Sequence, residues 1–294
     1  MHTTAPRPAP SAVSSAWQHT LAAPQHWSGV GLHSGATVQV TLRPAPVNTG
    51  RYFVRVDLPH QPHIPAQIGH VQSTQLATEL VTNGVGVRTV EHLLAALAIA
   101  GVDNVAIEVS GAEVPVLDGS AQPWLEGIFA IGMVEQEAPR SSAVLADPIT
   151  IYEGDAFVSA VPAPQTRLSY GIDFAYAAIG RQWCSFTVAE LATEIAAART
   201  FGFAEQVEYL RSQGLIQGGS LENALVCSAT GWLNPPLRFA DEPVRHKLLD
   251  FWGDLALLGA PPTAHYIAYK ASHHLHTQLA QAIATRLDQR CASQ

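Results

Sequence analysis

The 294-residue chain is poor in cysteine: Cys184, Cys227 and Cys291 are odd in number and show no C-x-x-C spacing, which excludes a disulfide framework, a zinc knuckle and a dithiol redox pair. It lacks any apolar run of the roughly 20 residues that a bilayer-spanning helix requires, so the sequence predicts no stable membrane anchor. Basic charge is scarce, with 16 Lys and Arg against 24 Asp and Glu and a net charge of -8. No broad basic face is available for nucleic acid, and an anionic substrate would have to meet a local cluster of positive groups. Neither G-x-G-x-x-G nor a Gly-Lys-Ser/Thr loop occurs, which removes the dinucleotide and nucleoside triphosphate folds that depend on them. Residues 1–16 are rich in Pro, Ala, Ser and Thr and hold no signal-type apolar core. They read as a disordered tail rather than an export signal, and the expected compartment is the cytoplasm.

What is present is an enzyme-sized globular chain, 47% hydrophobic, whose length suits two domains. Residues 37–42 alternate as a strand and 52–56 alternate again, a hairpin-like pattern. Thr89 stands where it would cap a helix over 90–100, apolar nearly all round and closed by Gly101. A strand over 105–109 and a helix over 121–131 complete this unit. The second half repeats that order: strands near 149–152 and 168–174, a helix opened by the capping box Thr187-x-x-Glu190, a short helix over 204–212 and a strand over 224–227. A helix from 241 to 259, a strand over 266–269 and a terminal helix near 277–288 follow. The mixture predicts an α+β chain with a tail at 1–16, a first domain over 17–134 and a linker at 135–142. The second domain runs over 143–294 and carries an inserted helix-strand segment near 199–228.

Chemistry concentrates in two apolar helices. His246, Asp250 and Asp254 recur every four residues in the helix after Asp241 and form one narrow strip. A solvated polar face is the bland reading. It weakens because Leu249, Trp252 and Leu257 are interleaved on the same side, leaving the helix apolar almost all round. Glu91 and His92 open the other helix, whose remaining residues are Val, Leu, Ala and Ile; a buried ion pair without duty is the simple account there. Two such anomalies together favour one shared site, with His92, His246 and Asp250 as a three-ligand zinc centre that keeps an open position. Glu91, beside a ligand and not needed as one, is the natural general base for the attacking water.

Seven segments taken in order resemble one family. They are Gly29-Val30-Gly31-Leu32-His33-Ser34-Gly35, the run from Thr41 to Gly50, Thr89-Val90-Glu91-His92-Leu93, Asp118-Gly119-Ser120-Ala121, Ala198-Arg199-Thr200-Phe201-Gly202-Phe203, Gly218-Gly219-Ser220, and His246-Lys247-Leu248-Leu249-Asp250-x-x-Gly253-Asp254. The chain is similar, over about residues 19–285, to the UDP-3-O-acyl-N-acetylglucosamine deacetylases, zinc amidases of bacterial lipid A synthesis. The resemblance implies two domains of like fold, each a small, mostly antiparallel sheet layered against two helices, with the active site between them. It assigns Zn2+ to His92, His246 and Asp250, the base to Glu91, an oxyanion donor to Thr200, and protonation of the leaving amine to His273 held by Asp254. Lys247 would add positive charge. Substrate contacts would come from Lys270 and from Phe201, Phe203, Val207, Leu210 and Leu221 along an acyl passage. The implied partner is a UDP-linked acylated amino sugar, met by a monomer.

The chain departs from the family on the nucleotide side. Asp173-Phe174-Ala175-Tyr176-Ala177 stands where the family usually reads Asp-Phe-Asn-His-Pro, a usual lysine falls near Ala146, Asp147 or Pro148, and Gln206 replaces an acidic residue next to Glu205. The usual Lys-Ser-Gly-His becomes Lys270-Ala271-Ser272-His273. Lys247, Lys270 and Arg199 remain as candidate diphosphate donors. Two alternatives therefore stand beside lipid A deacetylation: a divergent paralogue acting on another acylated amino sugar, and a metal-binding sensor of lipid A precursors without turnover.

Overall fold

The computed structural model describes residues 16–140 and 143–291. The tail expected over 1–16, apart from Ala16, lies outside the described residues, as do positions 141 and 142 of the expected linker.

Two five-stranded sheets form the frame, and they share one connectivity. In the first, the strands run Gln25–Val30, Thr37–Pro44, Val105–Val109, Arg51–Arg55, His63–Pro65; in the second, Ile149–Glu153, Ala156–Pro162, Ala264–Tyr269, Arg167–Asp173, Arg181–Thr187. Each sheet places the last of its strands in the middle, where it pairs antiparallel with one neighbour and parallel with the other. Alternation explains which side faces inward: Val38, Val40 and Leu42 are buried whereas Thr37 and Gln39 are exposed. Phe53, Ile107, Val158, Tyr170 and Tyr266 continue the core.

Among the described residues six α-helices accompany the sheets: α1 (Glu91–Ala100), α2 (Gln122–Ile131), α3 (Leu191–Glu194), α4 (Val207–Ser212), α5 (Glu242–Leu255) and α6 (His273–Cys291). Helix α1 packs against α2 and α5, and α5 against α6. The α1–α5 contact is a backbone approach. A Cβ on Gly253 would overlap the carbonyl oxygen of Glu91, so glycine is what lets α5 meet the first turn of α1. Nine of the ten residues of α1 are buried, and α5 buries both faces, as the all-round apolar sequences require.

The structure corrects several expectations. Thr89 does not cap α1: it sits in the left-handed region at φ 59°, and its hydroxyl donates to Glu113 Oε1 at 3.0 Å. Up to Pro139 the polar stretch read as a linker belongs to a strand, Met133–Pro139, paired with Trp17–Leu21. Both partners are largely polar, which is why no pattern announced them. The terminal helix begins at His273, four residues ahead of its expected start, so His273, His274 and His276 lie in its first turn and not in a preceding turn. The capping box at Thr187 is present, although it opens a single 3-10 turn leading into the four-residue α3.

Candidate metal centre and catalytic cleft

The first turn of α1 delivers Glu91 and His92 to the strip on α5. His92 Nε2 lies 3.4 Å from Asp250 Oδ1 and His246 Nε2 lies 3.3 Å from the same oxygen. All three side chains are buried, and their ligand atoms lie within 4.8 Å of one another. Three observations fit a divalent cation. Asp250 Oδ1 is buried with no hydrogen-bond partner among the described residues. Its other oxygen accepts from Lys247 Nζ at 2.8 Å, which orients the carboxylate. His246 Nδ1 donates to the Ala198 carbonyl at 3.0 Å, which leaves the Nε2 lone pair facing the cluster. Donors bound at about 2.0–2.2 Å in a tetrahedron stand about 3.3 Å apart, the separation already present here. Burial pushes the His246 pKa down to about 4, so the ring is neutral and able to ligate. Burial would raise the Asp250 carboxyl, but His246 and Lys247 hold it well below the ordinary range.

Glu91 is 3% exposed, and burial raises its pKa against the pull of His273 and His92. Its Oε2 accepts from the backbone N–H of Thr78 at 3.0 Å. Beyond the strip, Asp254 receives three donors: Thr78 Oγ1 on Oδ1 at 2.6 Å, and His273 Nδ1 and His276 Nδ1 on Oδ2 at 2.8 and 2.9 Å. Burial opposes ionisation of Asp254, yet the His273 charge and the bonds from His273 and His276 lower its pKa to about 2. Burial likewise opposes the charge on His273, and Asp254 overrides it, raising that pKa to about 9. His273 is thereby held protonated at neutral pH, with Nε2 3.9 Å from Asp250 Oδ2 and turned toward the His92, His246 and Asp250 cluster.

An apolar cavity of about 580 Å³ opens beside the cluster, lined among others by Thr200, Phe201, Phe203, Val207, Leu210 and Leu221. Its wall reaches the metal side through Phe201, whose ring centroid is 6.4 Å from that of His246. Thr200 is pinned by its backbone, donating to Gly119 O at 2.7 Å and accepting from Leu225 N at 2.8 Å.

Residues 18–285 match the family model described as LpxC, UDP-3-O-acyl N-acetylglycosamine deacetylase. The chain belongs to the UDP-3-O-acyl N-acetylglycosamine deacetylase family. It is 75% identical to the UDP-3-O-acyl-N-acetylglucosamine deacetylase of Thermosynechococcus vestitus over 94% of this chain and 96% of the relative. Proteins of the same name from Trichormus variabilis and from Nostoc are each 57% identical over 90% of this chain and 98% of theirs.

Within this deacetylase fold, two of the expected positive groups are committed elsewhere. Arg199 is not free for a diphosphate: its Nε donates to the fully buried Glu242 at 2.8 Å and its Nη2 to the Pro236 carbonyl at 3.0 Å. Lys270 pairs with Asp155 and does not line the cavity. Tyr176, where the family usually has histidine, stacks on Phe203 at 4.3 Å and donates to Glu205 at 3.1 Å. Thr78, His276 and Tyr170, which join the polar network around Asp254, were not singled out from the sequence. A threonine among the polar residues of 72–79 carries no signal of burial, and His276 was hidden in a triplet that reads as surface.

Proposed function

We propose that the protein removes the N-acetyl group from UDP-3-O-acyl-N-acetylglucosamine in lipid A biosynthesis, as a Zn2+-dependent hydrolase. The observation that carries this reading is the buried triangle of His92, His246 and Asp250 with its unpartnered Oδ1, flanked by a raised-pKa carboxyl on one side and an ion-paired imidazolium on the other. Zinc held by those three side chains supplies Lewis acidity toward the amide carbonyl and lowers the pKa of water near neutrality.

The protein groups do the rest. Glu91 takes the proton of the attacking water as its oxygen bonds to the acetyl carbon. The Thr200 hydroxyl donates to the developing oxyanion, where a preorganised donor is worth most, and Lys247, bonded to Asp250, adds positive charge to the site. His273 passes its Nε2 proton to the nitrogen as the carbon–nitrogen bond breaks, leaving acetate and a free amine. The acyl chain occupies the apolar cavity between Phe201, Phe203, Val207, Leu210 and Leu221. The enzyme acts in the cytoplasm as a monomer. No helix among the described residues is long and apolar enough to cross a membrane.

Acetate release from UDP-3-O-acyl-N-acetylglucosamine tests the reading. Turnover should vanish with a chelator and return with zinc, and Glu91→Gln should keep bound metal while cutting kcat by about two to four powers of ten. Turnover that persists after metal removal overturns the zinc assignment, and a Glu91→Gln variant of full activity overturns the base.

A further inference from the structure

The base and the acid of the cleft come from opposite halves of the chain, and a single small side chain touches the supports of both. Thr78 lies between the strands Val71–Ser73 and Glu79–Thr82 and is fully buried. Its backbone N–H, at 3.0 Å, is the only hydrogen-bond partner of the Glu91 carboxyl among the described residues. Its hydroxyl, at 2.6 Å, is likewise the only partner of Asp254 Oδ1. An ionised carboxylate accepts and never donates, so the proton of that bond belongs to Thr78. The same hydroxyl oxygen stands 3.4 Å from His273 Nδ1.

We propose that Thr78 is a positioning residue of the deacetylation reaction, locking the Asp254–His273 pair to Glu91 through one hydroxyl and one amide. Asp254 Oδ2 already receives two imidazole N–H groups, His273 and His276, so a twist of its carboxylate about the Cβ–Cγ bond would carry that oxygen out of line with both rings. The bond on Oδ1 stops that rotation. It therefore fixes the direction of His273 Nε2, while the amide of the same residue fixes Glu91, and the distance between base and acid becomes a property of Thr78. A hydroxyl that only filled core volume could be replaced by a methyl group without consequence. One that donates to a buried carboxylate cannot.

Five proteins test this: wild type, Thr78→Val, Thr78→Ser, Asp254→Asn and the Thr78→Val/Asp254→Asn double variant. Valine keeps shape and backbone amide and removes only the donor. Thr78→Val is expected to lower kcat by about tenfold, the scale of one hydrogen bond to an ionised group, with KM and bound metal little changed. Serine restores the rate. In the Asp254→Asn background the valine adds nothing, because the hydroxyl acts through Asp254. The kinetic arm rests on the deacetylase reading. A second arm does not: in protein labelled with 15N-histidine, the Nδ1–H signal of His273 should move in Thr78→Val and return in Thr78→Ser. Should the valine variant not fold, Thr78→Ala supplies the same comparisons. A wild-type rate with an unmoved His273 signal overturns the proposal, as does an equal loss in both backgrounds, which marks packing alone. If wild type releases no acetate, the functional reading fails and the histidine signal alone decides the role of Thr78.

Discussion

Asp254 shows how one carboxylate can be charged although it is fully buried. Three donors converge on its two oxygens, and two of them, His273 and His276, hold its pKa at about 2 against burial, while it holds that of His273 at about 9. This has a sign that can be measured. The folded pKa of His273 lies above its usual 6.5. The stabilisation is then fully present below about pH 6.5 and is lost as pH rises through about 9. A shift of this size corresponds to roughly 3 kcal/mol. In metal-free protein, the unfolding free energy of wild type relative to His273→Gln should therefore fall by about that amount between neutral pH and pH above 9; a constant difference would remove the ion pair. The charges on the other side of the cleft are few. The chain has only two lysines, Lys247 and Lys270. Lys247 bonds Asp250 and Lys270 bonds Asp155, so in the described structure neither ammonium stands free for a diphosphate.

Helix α5 carries three polar groups of the site, His246, Asp250 and Asp254, and both contacts that assemble it, to α1 and to α6. Its approach to α1 depends on Gly253. Adding one methyl group there would drive into the Glu91 carbonyl, and neither helix backbone can yield as a flexible side chain would. Gly253→Ala should destabilise the fold by about 1–3 kcal/mol or more, the usual cost of overpacking, and depress turnover more than zinc-free stability alone explains, because Glu91 and His92 ride on the displaced turn. Urea unfolding beside kcat checks both. Helices α1 and α5 were legible in the sequence for the same reason that they matter: Glu91, His92, His246, Asp250 and Asp254 stand out against Leu, Ala and Val, and a charge in an apolar helix must have a partner. The elements that escaped are those without contrast. The strand Met133–Pro139 is polar on a polar partner, and Thr89 looks like a cap because propensity says nothing of the left-handed backbone that its bond to Glu113 stabilises. Thr78 is invisible without the fold, since the groups that give it meaning lie 13 and 176 residues away.

At the scale of the molecule, the repeated strand order of the two sheets explains where the site lies. Helices α5 and α6 pack on the second sheet, and α1 of the first half meets α5 of the second. Other links cross that boundary: Arg51 from the first half donates to the Ala256 carbonyl at 3.3 Å, and Arg238 from the second pairs with Asp118 at 2.8 Å. His92 against His246 and Asp250 is a further crossing, and it is the one a metal would tighten. An ion bound by ligands from both halves favours the state in which the halves are joined, so its binding energy appears as stability. At a free concentration about a hundred times the dissociation constant, the gain is about 2.7 kcal/mol. Thermal unfolding of wild type should accordingly shift upward by several degrees on adding zinc to chelator-treated protein, with a further rise for each added decade of free metal. The same titration on His246→Ala should be nearly flat, because two ligands from opposite halves hold the ion too weakly to bias the equilibrium. Equal zinc shifts in the two proteins would mean that the stabilising ion sits elsewhere, for instance on the Asp254, His273 and His276 group, which also gathers ligand atoms within 4.8 Å. His276→Asn would then separate the sites, since it removes an imidazole from that second group and leaves His92, His246 and Asp250 untouched.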